Sequence, residues 1–119
     1  MKEVQELVEQ IVSASQEKKA KNIVVIDMTK LPGTICQYFV ICNGDTPIQV
    51  AAISEEIKDS VKKEMKDSPI SIDGLAESRW VGIDYGTVIV HVFIPELREF
   101  YDIEHLWADA ELKTIPDID

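Results

Sequence analysis

The run Val88-Ile89-Val90-His91-Val92-Phe93-Ile94 constrains the fold more than any other part of the chain. Read as a strand, it places Val88, Val90, Val92 and Ile94 on one face and Ile89, His91 and Phe93 on the other. Both faces are apolar, so both must be covered. A strand of this kind sits inside a layered α/β sheet, whereas a strand wetted on one side would alternate apolar with polar residues. The run is therefore predicted to be central in its sheet.

The flanking sequence supplies the layers. Val4, Leu7, Val8, Ile11 and Val12 follow helical spacing, and Lys18, Lys19 and Lys21 come last, where the helix dipole favours cations. That predicts a helix over residues 3–20. The β-branched segment 23–27 reads as a buried strand, 29–34 with Pro32-Gly33 as a loop, and 38–42 as a second strand ending at Asn43-Gly44-Asp45. Thr46-Pro47-Ile48-Gln49 carries a hydroxyl N-cap, an early proline and a capping-box glutamine. Val50, Ile53, Ile57, Val61 and Met65 continue that helix to about Lys66. Ile70 and Ile72 suit a short edge strand, and residues 80–84 and 88–94 form strands joined by a turn at Tyr85-Gly86. Pro95 opens a last helix reaching about Ala110 and broken near Asp102, where the apolar spacing shifts. The predicted fold is α/β (α+β), a mixed sheet of about five strands flanked by helices. One domain spans 1–112, and 113–119 reads as a polar tail.

Charge and length narrow the functions open to the chain. A chain of 119 residues buries roughly two-thirds of its unfolded surface and needs no staple. Its 12 basic residues face 22 acidic ones, a net charge of -10, which weighs against a broad phosphate-binding face and favours a basic protein partner. No apolar run approaches the ~20 residues that span a bilayer, and the N-terminus opens an amphipathic pattern rather than a signal-peptide core. A cytoplasmic location is expected. Cys36 and Cys42, six apart in an extended segment, would stand about 20 Å apart, beyond the ~7 Å reach of a disulfide. Two buried thiols are expected.

Few residues suit catalysis. There are two histidines, no H-E-x-x-H and no paired cysteine ligands, so no metal motif or cofactor is indicated. His91 reads as a buried imidazole bonded to a neighbour such as an aspartate or a backbone carbonyl. His105 is helical and solvated. No nucleophile elbow occurs, and Cys42 has no positive neighbour in sequence to lower its pKa. Gly44-Asp45 before a helix N-terminus could cradle a phosphate, but Asp45 opposes an anion and P-loop residues are missing; a tight turn with a capped helix fits better. Asp27 and Asp84 stand at strand ends, where an aspartate commonly begins a turn.

Trp80 is the most informative single residue. It shares a sheet face with Gly82 and Asp84, and Gly82 leaves a flat place beside the indole. Two readings stay open on pattern alone: a covering helix fills the gap, or the indole is an exposed anchor beside Tyr85. Arg98, Tyr101 and Trp107 suit holding the last helix on the sheet, with Arg98 available to Asp84 or Glu104.

Two ordered blocks carry a family resemblance. One is Trp80-x3-Asp84-Tyr85-Gly86-x4-His91-x-Phe93 with Arg98, Phe100-Tyr101-Asp102-x-Glu104-x-Leu106-Trp107; the other is Tyr38-Phe39-Val40-Ile41 before Gly44, then Gln49-Val50 and Ala52-Ile53. With them the chain resembles the Iojap/YbeB family, the ribosomal silencing factors (RsfS), from the first helix to about Ala110. The resemblance implies a nucleotidyltransferase-like α/β fold without the catalytic residues. A nucleotidyltransferase needs a Gly-Ser turn and a D-x-D pair on a following strand; here the turn is Gly44-Asp45 and no following strand carries D-x-D. Gln37, Thr87 and Asp73-Gly74 depart from the family pattern, and none removes the larger block.

What the resemblance implies is a non-enzymatic translation repressor. It would bind ribosomal protein fourteen of the large subunit and block subunit joining when nutrients are scarce, with little direct nucleic-acid contact and no membrane. A homodimer is compatible with it. The family's binding surface falls on Trp80, Asp84, Tyr85, Arg98 and Tyr101, while His91 and Trp107 are structural. The alternative is a residual nucleotide-binding or nucleotidyltransferase-like enzyme using Asp27, Gly44 and Asp45.

Overall fold

The computed structural model describes residues 2–34, 36–107 and 109–118. Ala108 and Asp119, within the expected last helix and tail, lie outside the described residues. The chain runs α1 (Lys2–Glu17), β1 (Lys21–Asp27), β2 (Tyr38–Asn43), α2 (Pro47–Met65), β3 (Ser71–Asp73), β4 (Trp80–Asp84), β5 (Val88–Phe93), α3 (Pro95–Tyr101), α4 (Ile103–Leu106) and β6 (Glu111–Ile115). Among the described residues the strands form one sheet in the order β3-β4-β5-β2-β1-β6. Strand β5 is internal, as its two apolar faces require.

Neighbouring strands pair antiparallel except β2 and β5, which run parallel from Tyr38↔Val88 to Asn43↔Phe93. Helices α1 and α2 cover one face. Val4, Leu7, Val8, Ile11 and Ala14 from α1 and Val50, Ile53, Ile57 and Val61 from α2 meet Val25, Val40, Cys42, Val81, Ile83, Val88, Val90 and Val92. The two helices are also joined by Gln10 Nε2 donating to Ser60 Oγ at 2.6 Å. The shorter α3 and α4 lie towards the opposite face, where Val24, Ile26, Met28, Ile41, Phe93 and Ile103 form a second, smaller cluster.

Local chemistry explains the boundaries. Helix α1 stops at Glu17, earlier than the predicted residue 20, because Lys19 turns left-handed at φ 58° and the Ser15 carbonyl accepts from both Lys18 and Ala20. Helix α2 is capped by Thr46, whose hydroxyl accepts from the Gln49 amide at 3.2 Å. Gln49 Oε1 accepts from the Asp45 amide at 2.7 Å, one residue earlier than a capping box requires, and its Nε2 donates to the Lys18 and Lys19 carbonyls. One side chain thus ties the β2–α2 turn to the end of α1. The predicted break at Asp102 is present: φ 48° and ψ 48° separate α3 from α4.

Two sequence expectations are corrected. The sheet has six strands among the described residues, against about five predicted. The sixth, β6, occupies the start of the predicted polar tail and pairs antiparallel with β1 from Ile23↔Ile115 to Asp27↔Glu111. Backbone hydrogen bonds and Ile115 hold it, and its other side chains are exposed, so it left no apolar pattern in the sequence.

Candidate partner-docking face

The second face of the sheet is where the long helices are not. Strand alternation sends Trp80, Gly82 and Asp84 of β4 to this side, beside His91 and Phe93 of β5 and Phe39 of β2. Trp80 stacks on Phe93 with centroids 5.0 Å apart and tilts against Tyr101 of α3 at 4.8 Å. Phe39 meets His91 edge-on at 5.0 Å and Trp107 at 6.0 Å. These rings form a continuous aromatic layer, only part of which α3 and α4 cover. A Cβ added to Gly82 would meet nothing within 4 Å, so the gap beside the indole is open and no helix fills it. The result is a groove of about 400 Å³ lined by Ser71, Asp73, Gly74, Trp80, Gly82, Asp84, Ile89 and His91.

His91 is structural in a way the sequence did not specify. Its Nδ1 accepts from the Trp80 indole N–H at 3.1 Å, rather than the ring bonding to an aspartate or a carbonyl. An acceptor at Nδ1 fixes the neutral tautomer, with the proton on Nε2. Nε2 is buried without a partner among the described residues, and burial holds the ring's pKa at about 4. The imidazole is neutral at physiological pH. It fixes the indole's orientation.

Arg98 anchors the helices flanking this face. It is 9 % exposed, and its Nε and Nη2 donate to the two Glu104 oxygens at 3.0 and 2.9 Å. Its Nη1 donates to the Asn22 carbonyl at 2.6 Å and to Asn43 Oδ1 at 3.0 Å. A bidentate pair of this kind joins α3 to α4 and both to the ends of β1 and β2. The left-handed Asp102 makes it possible by turning the chain so that Glu104 returns to Arg98. His105, on the outer side of α4, pairs with Asp102 in solvent.

The five residues expected in the docking surface therefore separate. Trp80, Asp84 and Tyr101 share the open face, with Tyr101 47 % exposed. Asp84 already accepts from the Gly86 amide at 2.7 Å, which sets the β4–β5 turn. Arg98 is internal, with four of its five N–H donors engaged. Tyr85 is 8 % exposed and packs with the α1 and α2 core, because strand parity sends it to the helix-covered side with Val81 and Ile83. Burial, with Asp67 nearby, pushes its phenol up to about 12, and its hydroxyl is unpartnered among the described residues. Tyr85 and Arg98 are corrected from surface anchors to internal supports. Phe100, at 77 % exposure, and Leu106, at 72 %, belong to the family block but were not assigned to the binding surface; Phe100 extends the apolar surface beyond Tyr101. Their signal was positional only, since Leu97, Arg98 and Tyr101 take the inward side of the short α3.

The residues of the enzyme alternative are dispersed. Asp27 pairs with Tyr38 at one end of β2, and Gly44-Asp45 follows its other end, about 20 Å away along a six-residue strand. Asp84 is three strands from Asp27 and on the other face, and each carboxylate serves its own turn, Asp27 accepting from Thr29. A Cβ on Gly44 would lie 2.8 Å from the Val50 nitrogen, so the glycine is accounted for by the close approach of the turn to helix α2. Cys36 and Cys42 are free and buried, and burial pushes their thiols up to about 11 and 12. No His, Cys, Asp and Glu cluster suited to a metal ion occurs among the described residues. Nor is any described helix long and apolar enough to cross a membrane.

The sequence profile described as "Ribosomal silencing factor during starvation" matches residues 1–119. The chain belongs to the RsfS family. It is 40% identical over 106 residues to Ribosomal silencing factor RsfS of Halalkalibacterium halodurans, covering 89% of each chain. The RsfS of Bacillus subtilis is 40% identical over 100 residues, covering 84% of this chain and 83% of that one. A crystal structure of a Chromobacterium violaceum protein superposes with a TM-score of 0.82 at 33% identity, covering 87% of this chain and 85% of the other. The mixed sheet and its flanking helices are thus the architecture of the RsfS family.

Proposed function

We propose that this protein is a non-enzymatic translation repressor of the cytoplasm. It docks on the large ribosomal subunit through ribosomal protein fourteen and keeps the small subunit from joining, lowering translation when nutrients are scarce. Family membership supports the ribosomal role, and one structural observation carries the mode of action: an aromatic sheet face left open beside Gly82, with Trp80 at its centre and Tyr101 and Phe100 at its border. Aromatic residues in an otherwise well-packed face are the usual anchors of protein interfaces. Trp80, Asp84 and Tyr101 make the contact. Arg98 and Tyr85 act from beneath, holding α3, α4 and the β4–β5 turn in place. The net charge of -10 favours a basic ribosomal protein over rRNA and speeds the encounter at low salt. The separation of Asp27 from Gly44 and Asp45 speaks against the nucleotidyltransferase-like alternative.

Co-sedimentation with purified large subunits, followed by subunit joining measured by light scattering, tests the proposal. Wild-type protein is expected to pellet with large subunits and to slow joining, and Trp80→Ala to bind at least about tenfold more weakly, as loss of a central tryptophan does. Absence of wild-type protein from the pellet would sink the reading. Association rates that ignore salt would remove the electrostatic part.

A further inference from the structure

The groove beside Trp80 has a chemistry of its own. Its floor is Gly82 with Ile89 and His91, its wall the Trp80 indole, and its opposite rim the exposed edge strand β3 with Ser71, Asp73 and Gly74. A volume of about 400 Å³ exceeds that of one large side chain. Two carboxylates, Asp73 and Asp84, border it, and no lysine or arginine is among its described lining residues. Asp84 commits one oxygen to the Gly86 amide, whereas Asp73 is exposed on β3. An apolar floor with an acidic rim selects an occupant with the opposite arrangement.

We propose that this groove is the specificity pocket of the docking face. Its occupant is a segment of a basic protein presenting one large apolar side chain, seated over Gly82 against Trp80, with a lysine or arginine beside it that pairs with Asp73 and the free oxygen of Asp84. The inference rests on the reading that the protein docks on the large subunit, and it adds which part of the surface discriminates and what it discriminates for. Glycine at position 82 is then a functional choice. The packing does not demand it, since a Cβ there meets nothing within 4 Å, and glycine weakens a strand interior. What it keeps is room for a partner's side chain. Trp80, held in orientation by His91, gives the groove a fixed aromatic wall.

Two substitutions in the full chain separate the possibilities, each first checked by thermal melting for an intact fold. Gly82→Leu fills the groove with the protein's own side chain; it is expected to leave melting unchanged or raised and to weaken large-subunit binding at least tenfold. Asp73→Lys reverses the rim charge at an exposed side chain of β3; it is expected to weaken binding several-fold at low salt and to reduce the salt dependence. If wild-type protein binds large subunits and both variants bind as well as it does, the pocket assignment is overturned while the docking reading stands. If wild-type protein does not bind, the docking reading itself fails. A second copy of this chain is the competing occupant. In that case light scattering would show Gly82→Leu converting a dimer to a monomer with subunit binding unchanged, and the proposal would be overturned.

Discussion

The two faces of the sheet are built from different materials. On the α1 and α2 side the strands offer Val25, Val40, Val81, Ile83, Val88, Val90 and Val92, branched aliphatic residues under two long helices. On the other side Val24, Ile26, Ile41 and Ile89 share the face with Phe39, Trp80, His91 and Phe93, so rings join the branched residues under two short helices that leave an open groove. Branched aliphatic side chains fit a pleated surface and lose little conformational freedom there, which makes them good filling for a closed core. Rings present broad, stiff surfaces at small entropic cost, which makes them good anchors for something not yet bound. The difference teaches that one face is filled by packing within the chain, while the other is packed only in part and keeps an unfilled groove. The polar groups of the open face are linked in turn: the Trp80 indole N–H donates to His91 Nδ1.

Substitutions can break that division or sharpen it. The largest expected effect belongs to the closed face: Ile53→Ala, at a fully buried position in α2, should cost about 4 kcal/mol of unfolding free energy in urea melts. At temperatures where it stays folded it should bind large subunits as wild type does; a selective binding loss would break the division. Arg98→Ala comes next, at about 3 kcal/mol, because Glu104 and the Asn22 carbonyl lose a buried partner. Since it loosens α3 beside Trp80, it should also weaken docking, which calorimetry at matched folded fractions would detect. The third effect follows pH. His91 has its folded pKa at about 4 against an ordinary 6.5, so the unfolded chain binds more protons between those values. Stability is full above about pH 6.5 and falls on acidification through this window, by roughly 2 to 3 kcal/mol. Urea melts at pH 7 and 4.5 read the loss, and His91→Gln should remove most of it. The smallest is Thr46→Ala, about 1 kcal/mol from a lost N-cap of the helix that covers the closed face, with binding unchanged.

Much of the closed face was legible in the sequence, because apolar periodicity is a direct record of burial. The apolar run 88–94 announced an internal strand, and β4 appears with the bounds its alternation predicted. Strand β6 was illegible for the complementary reason: Glu111, Leu112, Lys113 and Thr114 are held by backbone pairing that any sequence can supply. The docking face was partly legible. Trp80 and Gly82 were placed on one side by parity, and the same parity extended one residue past Asp84 would have sent Tyr85 to the core. Glu104 was foreseen as one partner for Arg98. Asn22 and Asn43 lie 76 and 55 residues away in sequence and were brought to Arg98 only by the sheet. That Gly82 is open rather than covered depends on how far α3 reaches, which no pattern within α3 records.

The parallel seam between β2 and β5 has a consequence for when this protein becomes competent to dock. Its partners, from Tyr38↔Val88 onwards, are separated by roughly fifty residues of chain, while β4 and β5 meet across a short turn. Hairpins close within about 1–10 μs, but a long loop must surrender its chain entropy before any contact across it offsets the loss. Trp80 and His91 ride on the hairpin, and Phe39, which meets the His91 ring, rides on β2. The aromatic layer is therefore incomplete until this long-range pairing has formed. A nascent or half-unfolded chain carries these aromatic residues without the continuous surface they form together.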